Sequence, residues 1–187
     1  LKGIGVTLQV AAIALVLGII LGVLVAVVRT SHDQQRPGRK NPILGVLNVI
    51  CQIYTTVIRG TPIMVQLLIM YFVIFASTRN QIGVAMLTFG VNSGAYVSEI
   101  IRGGIMSIDK GQMEAGRSLG LPYATTMRFV VIPQAIKNIL PALGNELITL
   151  LKDTSIVTVI GLRDLTKAAQ LVQGKTYQAF MPYVGIA

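Results

Sequence analysis

Two carboxylates stand in otherwise apolar sequence towards the end of the chain. Glu146 and Asp153 are seven residues apart in the stretch from Ile139 to Ile160. Seven residues is two helical turns, which sets both carboxylates on one helix face. A charged side chain within a membrane costs about 2.5–3.5 kcal/mol on insertion scales, so such groups are functional candidates by default. With the amide of Asn92 they would form an anionic pocket for an α-amino group or a cationic side chain. The competing arrangement pairs Glu146 with Lys152 or with another helix and serves only to hold a bundle together. Lys152 could also neutralise one carboxylate and weaken a preference for cationic ligands. Paired carboxylates can perform acid–base chemistry. No catalytic triad, metal-ligand spacing or nucleophile motif accompanies them here, and nothing implies a cofactor.

Other reactive-looking residues carry less. Cys51 is the single cysteine, so it forms no internal disulfide, and its type and surroundings suit packing. His32 lies in a polar loop. Gly174-Lys175-Thr176 resembles the end of a phosphate-binding loop, Gly-x4-Gly-Lys-Ser/Thr. The first glycine of that pattern would fall at residue 169, which is Ala169. ATP binding by this chain itself is therefore not expected.

The solvent of these residues follows from composition. Charged residues make up 12% and apolar residues 53% of the 187 residues, and mean hydropathy is +0.70. Soluble domains carry about 25% charge. The apolar residues fall in blocks long enough to cross a bilayer, which takes about 20 residues per helix. The formal charge of +9 comes largely from two polar segments. One holds Arg29, Arg36, Arg39 and Lys40; the other holds Arg102, Lys110, Arg117, Arg128 and Lys137. Both border apolar blocks, as the positive-inside rule requires of cytoplasmic loops. There is no Trp and no aromatic platform among the basic residues, so nucleic acid is not the expected partner.

These features predict an all-α integral membrane protein of five spans, the last truncated, in a single transmembrane domain over 1–187. The first span covers residues 3–28. It is too long and ends too basically for a signal peptide, and Gly18 and Gly22 would let another helix approach closely. Residues 43–58 read as a short helix near the cytoplasmic interface, interrupted by Arg59-Gly60-Thr61-Pro62. Spans over 62–78, 82–101 and 139–160 follow, and a fifth opens at 177. Gly90 and Gly94 again permit close packing, and Glu99 could pair with Arg102. The loop 102–137 lies in the cytoplasm and the amino terminus outside. Arg163, Lys167 and Lys175 in the outer segment run against a simple charge count. The chain begins at Leu1 rather than Met and ends inside a new apolar run, which reads as a fragment missing both natural ends.

The loop carries the most specific pattern. It reads Glu114-Ala115-Gly116, three residues, Gly120, nine residues, Val130, one residue, Ile132-Pro133. Residues 111–119 favour a short helix, Gly120 suits the left-handed residue after a helix end, Pro122 suits the first turn of the next helix, and Pro133 marks a further boundary. The spacing resembles the EAA loop of ABC importer permeases: Glu-Ala-Ala, three residues, Gly, nine residues, Ile, one residue, Leu-Pro. Gly116 replaces the second Ala, Val130 the Ile and Ile132 the Leu. Arg59-Gly60-Thr61-Pro62, Asn92-Ser93-Gly94-Ala95-Tyr96 with Glu99-Ile100-Ile101-Arg102, Gly144-Asn145-Glu146 and Leu151-Lys152-Asp153-Thr154-Ser155 resemble the polar amino-acid branch of that family.

The resemblance implies a type I importer permease in the bacterial inner membrane. Such a subunit is not an enzyme. It forms the translocation pathway and docks a separate cytosolic ABC ATPase through the loop, with Glu114, Ala115, Gly116, Gly120 and Pro133 as coupling residues. It implies a second permease subunit, identical or related, and an extracellular or periplasmic substrate-binding protein. Asn92, Glu146 and Asp153 match positions that look like the family's substrate site midway through the membrane. Two carboxylates favour a basic amino acid, arginine or lysine, over glutamine. An ion-coupled secondary transporter is the alternative, in which Glu146 and Asp153 would couple protons or cations; it leaves the loop without a role.

Overall fold

The computed structural model describes residues 2–35 and 41–186; Arg36, Arg39 and Lys40 of the first basic segment lie outside the described residues. The first helix, α1 (Lys2–Asp33), is followed by α2 (Pro42–Gly60). Next comes α3 (Ile63–Ile69), which continues through a π-helical turn, Met70–Ile74. Then come α4 (Gln81–Met106), α5 (Lys110–Ser118) and α6 (Tyr123–Thr126). A second π turn, Met127–Val131, leads into α7 (Ile132–Asp153), which passes into a 3₁₀ segment, Thr154–Ile160. Two shorter helices, α8 (Leu165–Thr176) and α9 (Phe180–Val184), complete the order. No strand occurs among the described residues.

Side-chain chemistry explains the ends. Asn41 caps α2 by accepting the Ile43 amide at 3.0 Å, ahead of Pro42 in the first turn, where a missing N–H is harmless. Asn80 caps α4 through the Gly83 amide at 2.9 Å. Gly60, Thr61 and Pro62 break the chain between α2 and α3, and the carbonyls freed there are not left bare. Gln66 Nε2 donates to the Ile58 carbonyl at 2.7 Å and to Thr61 Oγ1 at 2.8 Å. By length and composition Gly3–Asp33, Pro42–Gly60 and Gln81–Met106 are able to cross a membrane, while Ile63–Ile74 is a shorter apolar helix. The helix over 42–60, expected as a short interfacial helix, is thus long and apolar enough to span.

α1 and α4 form the central pair. Their glycines interlock: a Cβ on Gly18 would meet Ser93 Oγ at 2.7 Å, one on Gly22 would meet Val97 Cγ1 at 2.6 Å, and one on Gly90 would meet Leu17 Cβ at 2.8 Å. The two small-xxx-small pairs therefore face each other, and dispersion between closely approaching backbones replaces the hydrophobic drive that lipid does not supply. Val10, Ala14, Ala85 and Phe89 of this pair join Leu67, Leu150, Val157 and Ile160 in the core. Val16, Ile20, Leu24 and Val27 point outwards along α1, as a lipid-facing stripe does. Gly22→Val should destabilise the pair by about 1–3 kcal/mol through overpacking. A lower melting temperature in detergent would register it, and an unchanged one would contradict the interlock.

Two polar features depart from the sequence expectation. Arg29 is not a loop residue: α1 runs on to Asp33, and the Arg29 side chain is only 12% exposed, paired with Glu99 and donating to Thr55 Oγ1 at 3.4 Å. Its charge is neutralised, so the helix need not end there. Glu99 does meet Arg102, at 3.4 Å, but that contact is secondary to the one with Arg29. The loop 102–137 is also less of a loop than its charge implies. From Tyr123 to Ile160 the chain is one uninterrupted helical rod.

Candidate functional site

A cavity of about 440 Å³ opens between α2, α3, α4 and α7. Asn92, Glu146 and Asp153 all line it, together with Arg59, Tyr96 and Thr149. α7 carries both carboxylates, spaced as two turns require. Glu146 is buried and its Oε1 accepts the Ser93 hydroxyl at 2.8 Å. Asn92, also buried, donates from Nδ2 to Gln66 Oε1 at 3.1 Å. That bond ties the cavity wall to the broken α2–α3 junction, because the same Gln66 holds the carbonyls freed at the break. Lys152 is exposed and takes part in none of the ion pairs among the described residues. Six residues from Glu146, it leaves α7 on a different face.

Arg59 is the residue that pattern reading alone did not assign. It looked like a charge avoiding the bilayer centre within a helix-breaking tetrapeptide. The structure lays its guanidinium over the Tyr96 ring, 5.3 Å from the centroid, in cation–π range. The cavity therefore offers one cation and two carboxylates, with an amide and hydroxyls between. Ser93 and Tyr96 were visible only as members of a resembling segment. Their roles depend on contacts with α7 and α2, which no local signal announces.

The second cluster is the knob made by α5 and α6. Asp109 caps α5 through the Gly111 amide at 2.6 Å. The other end closes in a Schellman motif. The Gly120 amide donates to the Arg117 carbonyl at 2.9 Å and the Leu121 amide to the Gly116 carbonyl at 3.0 Å, with Gly120 at φ +75°. Glu114 and Ala115 are exposed on α5; Gly116 is buried against Thr126 of α6. Leu119 is 79% exposed at the turn. Pro122 precedes α6 in extended conformation rather than entering it.

Pro133 does not end a helix. It sits in the first turn of α7, directly after the π turn in which the Ile132 amide bonds the Met127 carbonyl. The wider register carries the rod past a residue with no N–H. Side chains bind the rod to the knob, Gln134 Nε2 to Gln112 Oε1 of α5 at 3.3 Å, and to the end of α4, Asn138 Nδ2 to Ser107 Oγ at 2.8 Å. The 24 residues from Tyr123 to Glu146 span about 35 Å of helix, so one rod joins the knob to the cavity.

A family model described as "binding-protein-dependent transport system inner membrane component" matches residues 18–187. The chain belongs to this family. The arginine transport system permease protein ArtQ of Bacillus subtilis is 41% identical over 187 residues, covering 98% of this chain and 80% of that protein. A putative glutamine transport system permease protein of Rickettsia prowazekii is 40% identical, covering 97% and 80%. The crystal structure of an amino acid ABC transporter with histidines matches with a TM-score of 0.86 at 42% identity, covering 99% of this chain and 82% of that one. A methionine ABC transporter, MetNI, in an inward-facing conformation shares the fold, with a TM-score of 0.76 at 21% identity over 97% and 83% of the two chains. The protein is thus an amino-acid ABC importer permease, a helical transport subunit of the inner membrane.

Proposed function

We propose that the cavity of Asn92, Glu146 and Asp153 is where this permease holds its amino acid during passage, and that it prefers a basic one. The carrying observation is the charge balance of the lining: two carboxylates against Arg59. A zwitterion with a cationic side chain brings one carboxylate and two cations, the complement of that set. Arg59 suits the α-carboxylate by its planar fork of donors, and Glu146 and Asp153 suit the ammonium and the side chain. Lys152, although next to Asp153 in the chain, is exposed and makes no ion pair with either carboxylate. One relative bears the name of an arginine permease and another that of a glutamine permease. The family alone therefore leaves the choice open, and the lining supports arginine or lysine.

The rest of the machine follows the same reading. The whole chain acts as one permease domain with the 102–137 region facing the cytoplasm. A separate ATPase seats on the α5–α6 knob, where Glu114, Ala115 and the exposed Leu119 face outwards. An external binding protein delivers substrate on the opposite side, and a second permease subunit, identical or related, completes the pathway. Gly116, Gly120 and Pro133 shape the knob and its junction with the rod.

Glu146→Gln and Asp153→Asn, assayed in proteoliposomes with the ATPase bound, test the site. Each should raise KM for arginine about tenfold, the effect of about 1.4 kcal/mol; the variant that removes the partner of the cationic side chain should leave KM for glutamine within about twofold, while the one that removes the partner of the α-ammonium raises both. Equal losses for both substrates in both variants would sink the charge-reading cavity.

A further inference from the structure

Below the substrate cavity lies another. It measures about 530 Å³, is lined by Arg29, Gln52, Thr55, Thr56 and Glu99, and shares Arg59 and Gly60 with the first. The two are stacked along one helix. Asn92, Tyr96 and Glu99 follow at i, i+4 and i+7 on α4 and so share a face. Asn92 and Tyr96 line the upper cavity, Glu99 the lower. Seven residues advance about 10 Å along the helix, towards the Met106 end and the knob. The stacked Arg59–Tyr96 pair lies between them.

The lower cavity is polar in a particular way. Its Arg29 and Glu99 are paired side by side, and Glu99 keeps a second cation, Arg102, at 3.4 Å. An adjacent guanidinium and carboxylate are the charge complement of an α-amino acid, whose ammonium and carboxylate stand on one carbon. Glu99 retains Arg102 when Arg29 turns away, so opening the pair strands neither acid nor base once a zwitterion takes its place. Gln52 and Thr56 are exposed on the α2 wall and add neutral hydrogen-bonding groups.

We propose that this lower cavity is a transit station for an α-amino acid zwitterion leaving the substrate cavity, with Arg29 receiving its carboxylate and Glu99 its ammonium. The station rests on the upper cavity being the substrate site, and the two fail separately in the following experiment. The full-length permease with its ATPase is placed in nanodiscs, and bound radiolabelled arginine and glutamine are counted per permease chain by equilibrium dialysis. Uptake is followed in proteoliposomes. The wild type should bind about two amino acids per chain, the weaker about tenfold less tightly. Two variants probe the station. Arg29→Met/Glu99→Met removes both charges together and leaves no unpaired ion; Gln52→Leu/Thr56→Val alters only exposed wall residues and spares the packing. Each should lose the weaker site, keep KM within about twofold and lower kcat about fivefold. Glu146→Gln should weaken the tighter site and spare the weaker. One bound amino acid per wild-type chain, or unchanged stoichiometry and kcat in both variants, overturns the station. So does loss of permease pairing on native gels in the Gln52→Leu/Thr56→Val variant, which would make the groove a subunit contact. A Glu146→Gln variant that moves neither site refutes the substrate cavity instead.

Discussion

Gly120→Val should abolish most coupled uptake while leaving the protein folded in the membrane. Gly120 sits at φ +75° and closes the Schellman motif at the end of α5. The left-handed conformation costs about 1–2 kcal/mol for a residue with a Cβ, and β-branching makes it a genuine outlier. Beyond Gly120 and its two chain neighbours no heavy atom lies within 4 Å of the Cβ position, so crowding from packed residues does not enter; the strain is in the local backbone. The turn relaxes by giving up the two capping bonds, and the knob loses the angle between α5 and α6. Each 1.4 kcal/mol is about tenfold in the competent population, so uptake should fall about tenfold or more. ATPase activity that is present yet no longer stimulated by substrate would mark uncoupling. Gly120→Asn should retain more function than Gly120→Val, since Asn tolerates the left-handed region. Normal substrate-stimulated ATPase and transport in Gly120→Val would remove Gly120 from the coupling machinery.

The second large effect concerns a substitution that looks conservative. The loop pattern that this segment resembles reads Glu-Ala-Ala where this chain has Glu114-Ala115-Gly116, and from the pattern alone the change is mild. The packing says otherwise. A Cβ on Gly116 would come within 2.5 Å of both Thr126 Cγ2 and Oγ1. Thr126 is fully buried, its hydroxyl 3.4 Å from the Pro122 carbonyl, and its own Cβ would lie 3.1 Å from the added atom, so a change of rotamer does not clear the contact. Thr126 cannot step aside, so α5 must. Overpacking of this kind costs about 1–3 kcal/mol, and Gly116→Ala should lower coupled transport about tenfold. Thr126→Ala removes the atoms in the way, so the Gly116→Ala/Thr126→Ala double variant should recover most of the loss. That non-additive pattern is the signature of direct contact. Full activity of Gly116→Ala alone would show that the α5–α6 contact is looser than drawn.

Both effects bear on one mechanical feature. The knob is continuous with a helical rod that carries the carboxylates, and the rod is stitched to α5 and α4 through Gln134–Gln112 and Asn138–Ser107. Pro141 lies inside α7, five residues before Glu146. It removes one helical hydrogen bond between knob and cavity, which leaves the rod softer just before the cavity.

Local spacing determined a good deal. The long apolar blocks with basic margins dictated a helical membrane protein, because bilayer thickness and backbone hydrogen bonding leave few other options. Gly120 announced a left-handed turn, since no other residue takes that conformation freely. The seven-residue interval put Glu146 and Asp153 on one face whatever the helix packed against. Tertiary structure alone decided which groups meet. Arg29 and Glu99 are 70 residues apart in the chain, and Ser93 and Glu146 are 53 apart. Those pairings depend on how α1, α4 and α7 cross, which no periodicity encodes. The same holds for Arg59, which was punctuation in the sequence and became a cavity wall once α2 lay against Tyr96. It holds for Gly116, whose small size has a reason only when Thr126 is known to face it. Spacing along a helix reports direction; a contact between helices also requires register and approach distance, and those are set by the fit of side chains distant in the chain.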